Sequence, residues 1–416
     1  MSFDFKKNIK LDGHDLSDDG IVISSMVIKN WFFDMVPRME ITLTDSRDVL
    51  YNTYPIQDDA VLEIELDKNQ SSEKQKETLK LKFSILNWEI IPSIAGMESG
   101  HSYIIMAYLK VDDLFYPNIS KSFGKKSSTE VIEQIASDLG LTYNKKFKQS
   151  TNDNMKWLQV SMNNHDMLRY VNTRSFVNDD DITQVYINVE GELIHTTLKT
   201  EIDKDVSFVA MMSQDKQSDG KENNFDDKMS ETGVEKEAPT LYYSTLSQKM
   251  FTHYNRFDTY ATKMSMYGGD GKNKERVIHS FGEKLLTKYS QRSKNNAGKE
   301  VSSIEFGILN GGDFFRDGIH NDFFDAQVQY RYTLLNFFKN QVILKAKGNN
   351  LVKLWDVIDL VITKSETMQL NETVSGKYVV GGLIHILGED SEYQTQIVLY
   401  RSGINGSELD DEIILE

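Results

Sequence analysis

Hydrophobic and polar residues alternate along much of the first 120 residues, which is typical of strands with one packed face. In the run 60–66, Leu62, Ile64 and Leu66 share one face of the strand. The segment 67–77, rich in Lys, Gln, Ser and Glu, is predicted to be a solvated hairpin connection. Together the pattern predicts strands over 21–29, 39–44, 60–66, 79–91 and 102–111.

The last part of the chain shows a similar pattern. β-Branched and aromatic runs over 354–362, 376–387 and 393–401 are separated by Gly, Asn, Ser and Asp residues, which predicts an antiparallel meander. A further strand is predicted over 341–347, and a helix before it over 325–338. The inner face of that helix is predicted to consist of Val328, Tyr332, Leu335 and Phe338.

The first and last blocks parallel each other. In each, a turn leads into a strand, and then come a polar excursion, a long strand, a short turn and a closing strand. Matching the blocks places Asp59 opposite Asp356, and Phe83 opposite Val380. Our interpretation is two similar antiparallel β-barrels separated by inserted material. Chance likeness between two meanders is the alternative.

Helical signals appear between residues 121 and 200. The sequence Ser127-Ser128-Thr129-Glu130 is a capping-box signature, and Gly140 marks the end of the helix that follows. A second helix is predicted after Asn163-Asn164, and a hairpin over 182–197 turns at Glu190-Gly191. The inner helical positions are Ile132, Ile135, Leu139, Leu168 and Val171, and the outer positions are Arg169 and Arg174.

Residues 201–240 hold eleven Asp or Glu against five Lys, and the stretch is read as a flexible acidic linker. The predicted fold class is therefore mixed α/β and β-rich, with two similar tube-type β-barrels, an inserted small α/β domain and this linker. The predicted divisions are 1–120 (first barrel), 121–200 (small α/β domain), 201–240 (linker), 241–300 (connecting α/β segment), 301–403 (second barrel) and 404–416 (acidic tail).

Composition narrows the classes of function. The 416 residues are enough for two to four domains, and the absence of Cys excludes disulfides and thiolate chemistry. A formal net charge of −16 argues against nucleic-acid recognition and against stable binding to anionic membranes, because both need a basic face. No signal peptide and no apolar run long enough to span a bilayer is found in the sequence.

Several polar clusters in the sequence are candidate sites of chemistry. The strongest is His320-Asn321-Asp322 with Asp325, but a polar turn that caps a helix explains it better than a metal or catalytic centre. The acidic run 178–181 is read as a solvated hairpin tip, 268–272 as a flexible turn, and the basic run 145–148 as solvated. We predict no catalytic, cofactor-binding or metal-binding residue, and no cofactor.

The closing strands carry a family resemblance. In order, the residues that carry it are Ser375, Gly376, Tyr378, Val380, Leu383, His385, Tyr393, Thr395, Ile397, Leu399, Arg401 and Gly403. This order and spacing resembles the baseplate hub proteins of contractile phage tails, the hub part of type VI secretion spike proteins and the late control D family. The Gly that usually precedes the turn Asp is Trp355 here. A helix, the run 157–161, a helix and a hairpin similarly resemble the small α/β domain of that family.

The resemblance implies a structural role in the virion and no enzymatic activity. In that family the hub is a homotrimeric ring between a hexameric tail tube and a trimeric spike, assembled in the host cytoplasm into the tail baseplate. The implied partners are further copies of the chain, the tail tube protein, a spike protein and other baseplate proteins. Because the sequence ends soon after Gly403, the spike is expected to be a separate polypeptide. His385 is expected to be a hydrogen-bonded structural residue. The alternative is a cell-wall polysaccharide or peptidoglycan hydrolase with β-rich domains.

Overall fold

The computed structural model describes residues 6–16, 20–57, 59–67, 78–92, 100–178, 181–213, 240–243, 264–267, 273–276, 320, 322–337, 340–347, 352–363, 375–388 and 393–401. The helices are α1 (Val49–Asn52), α2 (Ser128–Asp138), α3 (Asn164–Asn172), α4 (Leu198–Ile202) and α5 (Phe323–Phe337).

Strands dominate the described residues. In the first half they are β1 (Lys6–Leu11), β2 (His14–Asp15), β3 (Ile21–Trp31), β4 (Arg38–Asp45), β5 (Val61–Asp67), β6 (Thr78–Pro92) and β7 (His101–Leu109). The middle holds β8 (Ile119–Lys126), β9 (Thr142–Lys145), β10 (Met155–Met162), β11 (Thr183–Ile187), β12 (Glu192–Thr197) and β13 (Val206–Ser213). The remainder holds β14 (Thr240–Tyr243), β15 (Met264–Tyr267), β16 (Asn273–Arg276), β17 (Asn340–Lys347), β18 (Val357–Thr363), β19 (Gly376–Gly388) and β20 (Tyr393–Arg401).

The five strands predicted in the first block all form, as β3 to β7. The alternation of apolar and polar residues reflects one packed and one solvated face, as expected. In β5, Leu62 and Ile64 are buried, while Glu63 and Glu65 reach the surface and pair with Lys side chains of β6. β1, which the sequence pattern did not reveal, adds to this block by pairing antiparallel with β5. The predicted connection 67–77 lies outside the described residues after Asp67.

The first and last blocks have the same strand order. β4, β7, β6 and β5 are neighbours in that order in the first half, and β17, β20, β19 and β18 are neighbours in the second, with antiparallel pairing throughout. An outer strand lies beside each set, β3 next to β4 and β14 next to β17. The parallel between the blocks that was inferred from sequence therefore extends to topology.

The two halves are joined edge to edge. β3 pairs with the second part of β19, from Gly382 opposite Trp31 to Gly388 opposite Ser25. A Cβ on Gly382 would lie 3.3 Å from the Val398 side chain and 3.4 Å from the Trp31 ring, so glycine permits this close approach. Thirteen of the described strands thereby form one sheet, and none of the described sheets closes into a barrel. The expected closed barrels are thus not formed by these strands.

The α/β unit forms as the helical signals predict. Ser127 caps α2 in a complete capping box with Glu130, and Leu141 and Gly140 donate backbone hydrogen bonds to Ala136 and Ser137 at its end. Gly140 has a φ of +67°, the left-handed conformation that glycine adopts without strain. The inner positions Ile132, Ile135, Leu168 and Val171 are buried, and the hairpin of β11 and β12 turns at Gly191.

Arg174 was expected on the outer surface, but it is partly covered. Its guanidinium carbon lies 3.9 Å from the centre of the Tyr170 ring and 5.5 Å from that of Phe323 in α5. A guanidinium is planar and more weakly hydrated than an ammonium, so it can stack on aromatic rings while it is partly buried. Arg174 thus connects the α/β unit to α5.

Part of the predicted acidic linker is regular structure. Residues 198–202 form α4, and 206–213 form β13, which pairs in parallel with β18 in the second half. The apolar run Val206-Ser207-Phe208-Val209-Ala210 drives this pairing, and Ala210 packs in the core of the second half. The linker prediction missed this strand because it rests on the net charge of the whole stretch 201–240, and the short apolar run hardly changes that charge. Residues 214–239 lie outside the described part of the chain.

Helix α5 forms close to the predicted bounds. Its described buried residues are Phe323, Ala326, Gln329, Thr333 and Phe337. The side chains named as its inner face in the sequence analysis lie outside the described residues. Phe337 packs with Phe32, Trp355 and Tyr186, so α5 contributes to a core shared by both halves and the α/β unit.

Candidate functional site

The His320 cluster is a structural connection. The His320 ring is buried, and its Nε2 donates to the carbonyl oxygen of Arg174 at 2.9 Å. The same ring lies edge-on to Phe323, with 5.6 Å between the ring centres. The Asp322 carbonyl accepts the Ala326 N–H at the start of α5. Asn321 and the Asp325 side chain lie outside the described residues, so the pieces that are described hold α5 against the α/β unit.

The acidic run at 178–181 does not form a solvated tip at its described end. Asp181 is buried, and its carboxylate accepts the backbone N–H groups of Ile182 and Lys199 at 2.9 and 3.0 Å. Burial raises the pKa of Asp181, and these hydrogen bonds oppose that effect. Asp181 thereby joins the backbone just before β11 to the first turn of α4. Residues 179–180 and 268–272 lie outside the described part.

The basic run 145–148 pairs locally. Lys145 Nζ lies 4.5 Å from the centre of the Phe147 ring and donates to the Gln149 carbonyl at 2.9 Å. Lys146 Nζ lies 3.8 Å from Glu201, which is fully buried. Lys145 and Lys146 thus contact neighbouring groups of the protein, and Phe147 of the same run is buried rather than solvated.

His385 is hydrogen-bonded, as the sequence analysis expected. Its Nδ1 lies 2.8 Å from the Tyr393 hydroxyl and 3.3 Å from the Thr395 hydroxyl on the neighbouring strand. Burial lowers the pKa of His385 to about 4, so the ring is neutral at pH 7.

This shift predicts a loss of stability in acid. An unfolded histidine has a pKa of about 6.5, so between about pH 6.5 and 4 the unfolded chain binds the additional proton. The stabilisation present above pH 6.5 is lost as the pH falls towards 4. We expect His385→Gln to lessen the fall in free energy of unfolding between pH 7 and 4.5 by roughly 1–3 kcal/mol. Urea titrations at pH 7 and 4.5 measure the free energy of unfolding, and His14→Gln, at an exposed position, is the control. If His385→Gln loses as much free energy of unfolding between the two pH values as the parent does, the prediction is contradicted.

A cleft of about 480 Å³ lies between the β11–β12 hairpin and the sheet, where strands of both halves line it. Two carboxylates line it, but each is paired: Glu190 lies 3.7 Å from Lys353, and Glu192 accepts from Asn188 at 3.0 Å. No Ser or Thr is among its described lining residues. Paired acids on one hairpin do not make the opposed carboxylates that glycoside hydrolysis uses.

Among the residues with described positions, no group of three or more His, Asp or Glu is placed to hold a metal ion. No described helix is both long and apolar enough to cross a bilayer. The prediction that the chain has no catalytic, metal or cofactor site stays a prediction.

The two halves share a distinctive turn. Asp59 and Trp355 each lie two residues before the first strand of the three-strand meander, and both are left-handed, with φ of 63° and 71°. The sequence comparison had matched Asp59 with Asp356, one residue later. In each half the residue after the turn accepts a backbone hydrogen bond from the long strand: Ile85 N–H to Ala60, and Val380 N–H to Asp356.

Both long strands also carry a bulge at the same place. The pairing register shifts at Leu86 in β6 and at Gly381 in β19, directly after the hydrogen bonds at Ile85 and Val380. Ile85 is therefore the structural equivalent of Val380, and the sequence match with Phe83 was two residues off. Because turn, hydrogen bond and bulge coincide, the halves are repeats of one unit.

The repeats differ in what covers the long strand beyond the bulge. In β19, β3 pairs with that part, and Leu383 beneath it is 4% exposed. In β6, no described strand pairs with the equivalent part on the side away from β7. Leu86, Trp88 and Ile91 are 44%, 40% and 47% exposed there. This part of β6, residues 86–92, is named the bare half of β6, and it is the candidate assembly surface.

Solved structures show what this architecture resembles. The 43 kDa tail protein of prophage MuSo2 from Shewanella oneidensis is similar with a TM-score of 0.54 and 11% identity, over 96% of this chain and 98% of that chain. The chain has the fold of phage tail proteins. The tail protein from Neisseria meningitidis MC58 gives a TM-score of 0.52 and 8% identity, over 97% of this chain and 98% of that one. No protein-family model and no curated protein sequence matches.

This fold confirms the resemblance drawn from the closing strands. It also shows what the sequence analysis missed: the bare half of β6 is not evident from its pattern alone. The run Leu86-Asn87-Trp88-Glu89-Ile90 reads as an ordinary half-packed strand. Only the comparison with β19, which is covered, marks it as incomplete.

Proposed function

We propose that this chain is a structural component of a phage-type tail, acting as the central baseplate hub. In this role it forms a homotrimeric ring that adapts a hexameric tail tube to a trimeric spike. The fold shared with phage tail proteins supports a tail role. The ring and the adaptor role come from the resemblance to hub proteins and from the internal repeat.

The observation that carries the proposal is the repeated strand order. Three copies of a chain with two equivalent units present six similar surfaces around one axis, which match six tube subunits while keeping three-fold symmetry. In this proposal each unit contributes to a tube-type wall, and the two predicted barrels are completed by neighbouring units in the ring. The α/β unit lies at the periphery or towards the spike.

The proposed partners are the tail tube protein, a separate spike protein and other baseplate proteins, in a virion tail assembled in the host cytoplasm. Charge on loops that face the tube is expected to set the register of docking more than its affinity. Within the part of the chain that the structure describes, the two carboxylates of the cleft and the His320 ring are paired with protein groups, which does not favour the hydrolase alternative.

The expected result of a mass measurement is a trimer. Purified chain at micromolar concentration is expected to show three times the chain mass of 47.8 kDa, and chain mixed with its spike protein is expected to show that mass plus the mass of the bound spike. Light scattering after size exclusion measures it. A monomer that neither the tube protein nor the spike protein converts to a trimer would contradict the proposal. A parallel turbidity assay on bacterial cell walls is expected to show no lysis.

A further inference from the structure

We infer that β14 of one copy of this chain pairs antiparallel with the bare half of β6 in the next copy. The inference rests on the proposed ring and names the contact that closes it. Its occupant is a second copy of the chain, because the chain itself shows what covers the equivalent strand in the other repeat.

Each repeat has the same two parts of a junction. One is an outer strand, β3 or β14, and the other is the long strand beyond the bulge, in β19 or β6. Within the chain, β3 of the first repeat covers β19 of the second. β14 of the second repeat and the bare half of β6 are left, each with one edge that no described strand pairs. In the proposed ring, the junction β3–β19 within each chain alternates with an equivalent junction, β14–β6, between neighbouring chains.

The paired positions across each half fix the register. In the first half, Lys29, Arg38, Tyr108, Ser84 and Val61 lie in one row of directly paired residues. In the second half, the equivalent row is Tyr242, Gln341, Tyr400, Val379 and Val357. Tyr242 is therefore the equivalent of Lys29, and Ser84 is the equivalent of Val379.

The same row leads to the missing pairs. Ile384 lies five residues after Val379, across the bulge, and pairs with Lys29 of β3. Glu89 lies five residues after Ser84, across the matching bulge, so its partner is Tyr242 of the next copy. The full register expected between copies is Thr240 with Ile91, Leu241 with Ile90, Tyr242 with Glu89, and Tyr243 with Trp88.

Exposure and edge chemistry favour this contact. Trp88 is the equivalent of Leu383, and it stays 40% exposed where Leu383 is 4% exposed under β3. An unpaired strand edge beside exposed Leu86 and Ile91 is a template for another strand. Pairing within one chain is disfavoured, because β14 and β6 lie seven strand steps apart in the sheet, roughly 34 Å along it.

Disulfide cross-linking tests the register, since the natural chain has no Cys. Two single variants, Glu89→Cys and Tyr242→Cys, are co-expressed, purified and oxidised. Directly opposed Cα atoms of antiparallel strands lie about 4.5–5.5 Å apart, within the range of a disulfide. The expected product is a disulfide-linked dimer of two chains on a non-reducing gel.

Two controls make the result specific. Ile90→Cys with Tyr242→Cys shifts the register by one residue and points the thiols to opposite faces, so it is expected to cross-link at least about tenfold less. Lys29→Cys with Ile384→Cys in one chain is expected to form an internal disulfide, because these residues are paired in the structure.

A second variant tests the surface without cysteine. Trp88→Lys places a charge on the bare half of β6, and we expect the trimer to dissociate at least about tenfold more readily. Val160→Lys, at a position 51% exposed elsewhere, is the matched control and is expected to leave the trimer intact. Circular dichroism of both variants reports whether each is folded.

The outcomes separate this inference from the proposed function. The inference is overturned if the protein is a trimer and the internal control disulfide forms, but the Glu89 and Tyr242 variants cross-link no better than the shifted pair. The hub proposal would still stand after that result. An internal Glu89–Tyr242 disulfide in a doubly substituted chain also overturns it. A chain that is monomeric with every partner overturns both.

Discussion

Trp355→Ala is expected to destabilise the protein by about 3–5 kcal/mol, the usual cost of removing a fully buried tryptophan. The Trp355 ring is 0% exposed and lies edge-on to Phe32, with 4.6 Å between ring centres. It packs in the cluster that α5, the hairpin and both halves of the sheet share. Ala still has a Cβ, so the left-handed backbone at this position gives no compensating relief.

Urea titration followed by circular dichroism measures this loss. Tyr51→Ala, at a position 60% exposed on α1, is the matched aromatic control and is expected to change the free energy of unfolding by about 0.5 kcal/mol or less. Trp355→Gly removes the same ring but relaxes the backbone, so it is expected to be less harmful than Trp355→Ala. Equal stability of Trp355→Ala and the parent would show that this ring does not hold the halves together.

Asp153→Ala is expected to cost about 2–5 kcal/mol, because it leaves two buried N–H groups without an acceptor. The fully buried Asp153 carboxylate accepts from Ser128 N–H at 2.8 Å and from Phe176 N–H at 2.9 Å. The first of these lies at the start of α2, where the helix dipole favours a negative charge. The carboxylate thereby ties α2 to the loop that follows α3.

Asp153→Asn separates the contribution of the negative charge from that of the hydrogen-bond acceptors. The amide keeps one acceptor oxygen, so we expect a loss smaller than that of Asp153→Ala. Asp112→Ala, at an exposed carboxylate that forms a surface ion pair with Lys110, is the control and is expected to have little effect. Thermal unfolding of the three variants gives the order of their stabilities. If Asp153→Ala unfolded at the same temperature as the parent, the structural role of Asp153 would be contradicted.

Local patterns predicted much of the fold. The strands 21–29 and 39–44 and the capping box at Ser127 are set by neighbours in sequence, and each appears within a few residues of its predicted bounds. β1 was missed because its sequence, Lys-Lys-Asn-Ile-Lys-Leu, alternates weakly and depends on pairing with β5. β13 was missed because an apolar run is embedded in an acidic stretch.

The candidate surface depends on information that no local pattern holds. Asp153 is recognised as structural only when Ser128 and Phe176 are seen around it. The bare half of β6 is recognised only by its difference from β19. The repeat itself was visible in sequence, but its alignment was off by one residue at the turn, because the left-handed residue equivalent to Asp59 is Trp355 and not the matched Asp356.

Electron microscopy of the purified assembly, viewed along its symmetry axis, tests the central claim most directly. The account predicts a closed ring of three chains in which six similar sheet units surround a central opening, with the junction β3–β19 alternating with the junction β14–β6. A ring with three units, an open chain of subunits or isolated monomers in the presence of the tube and spike proteins would contradict it.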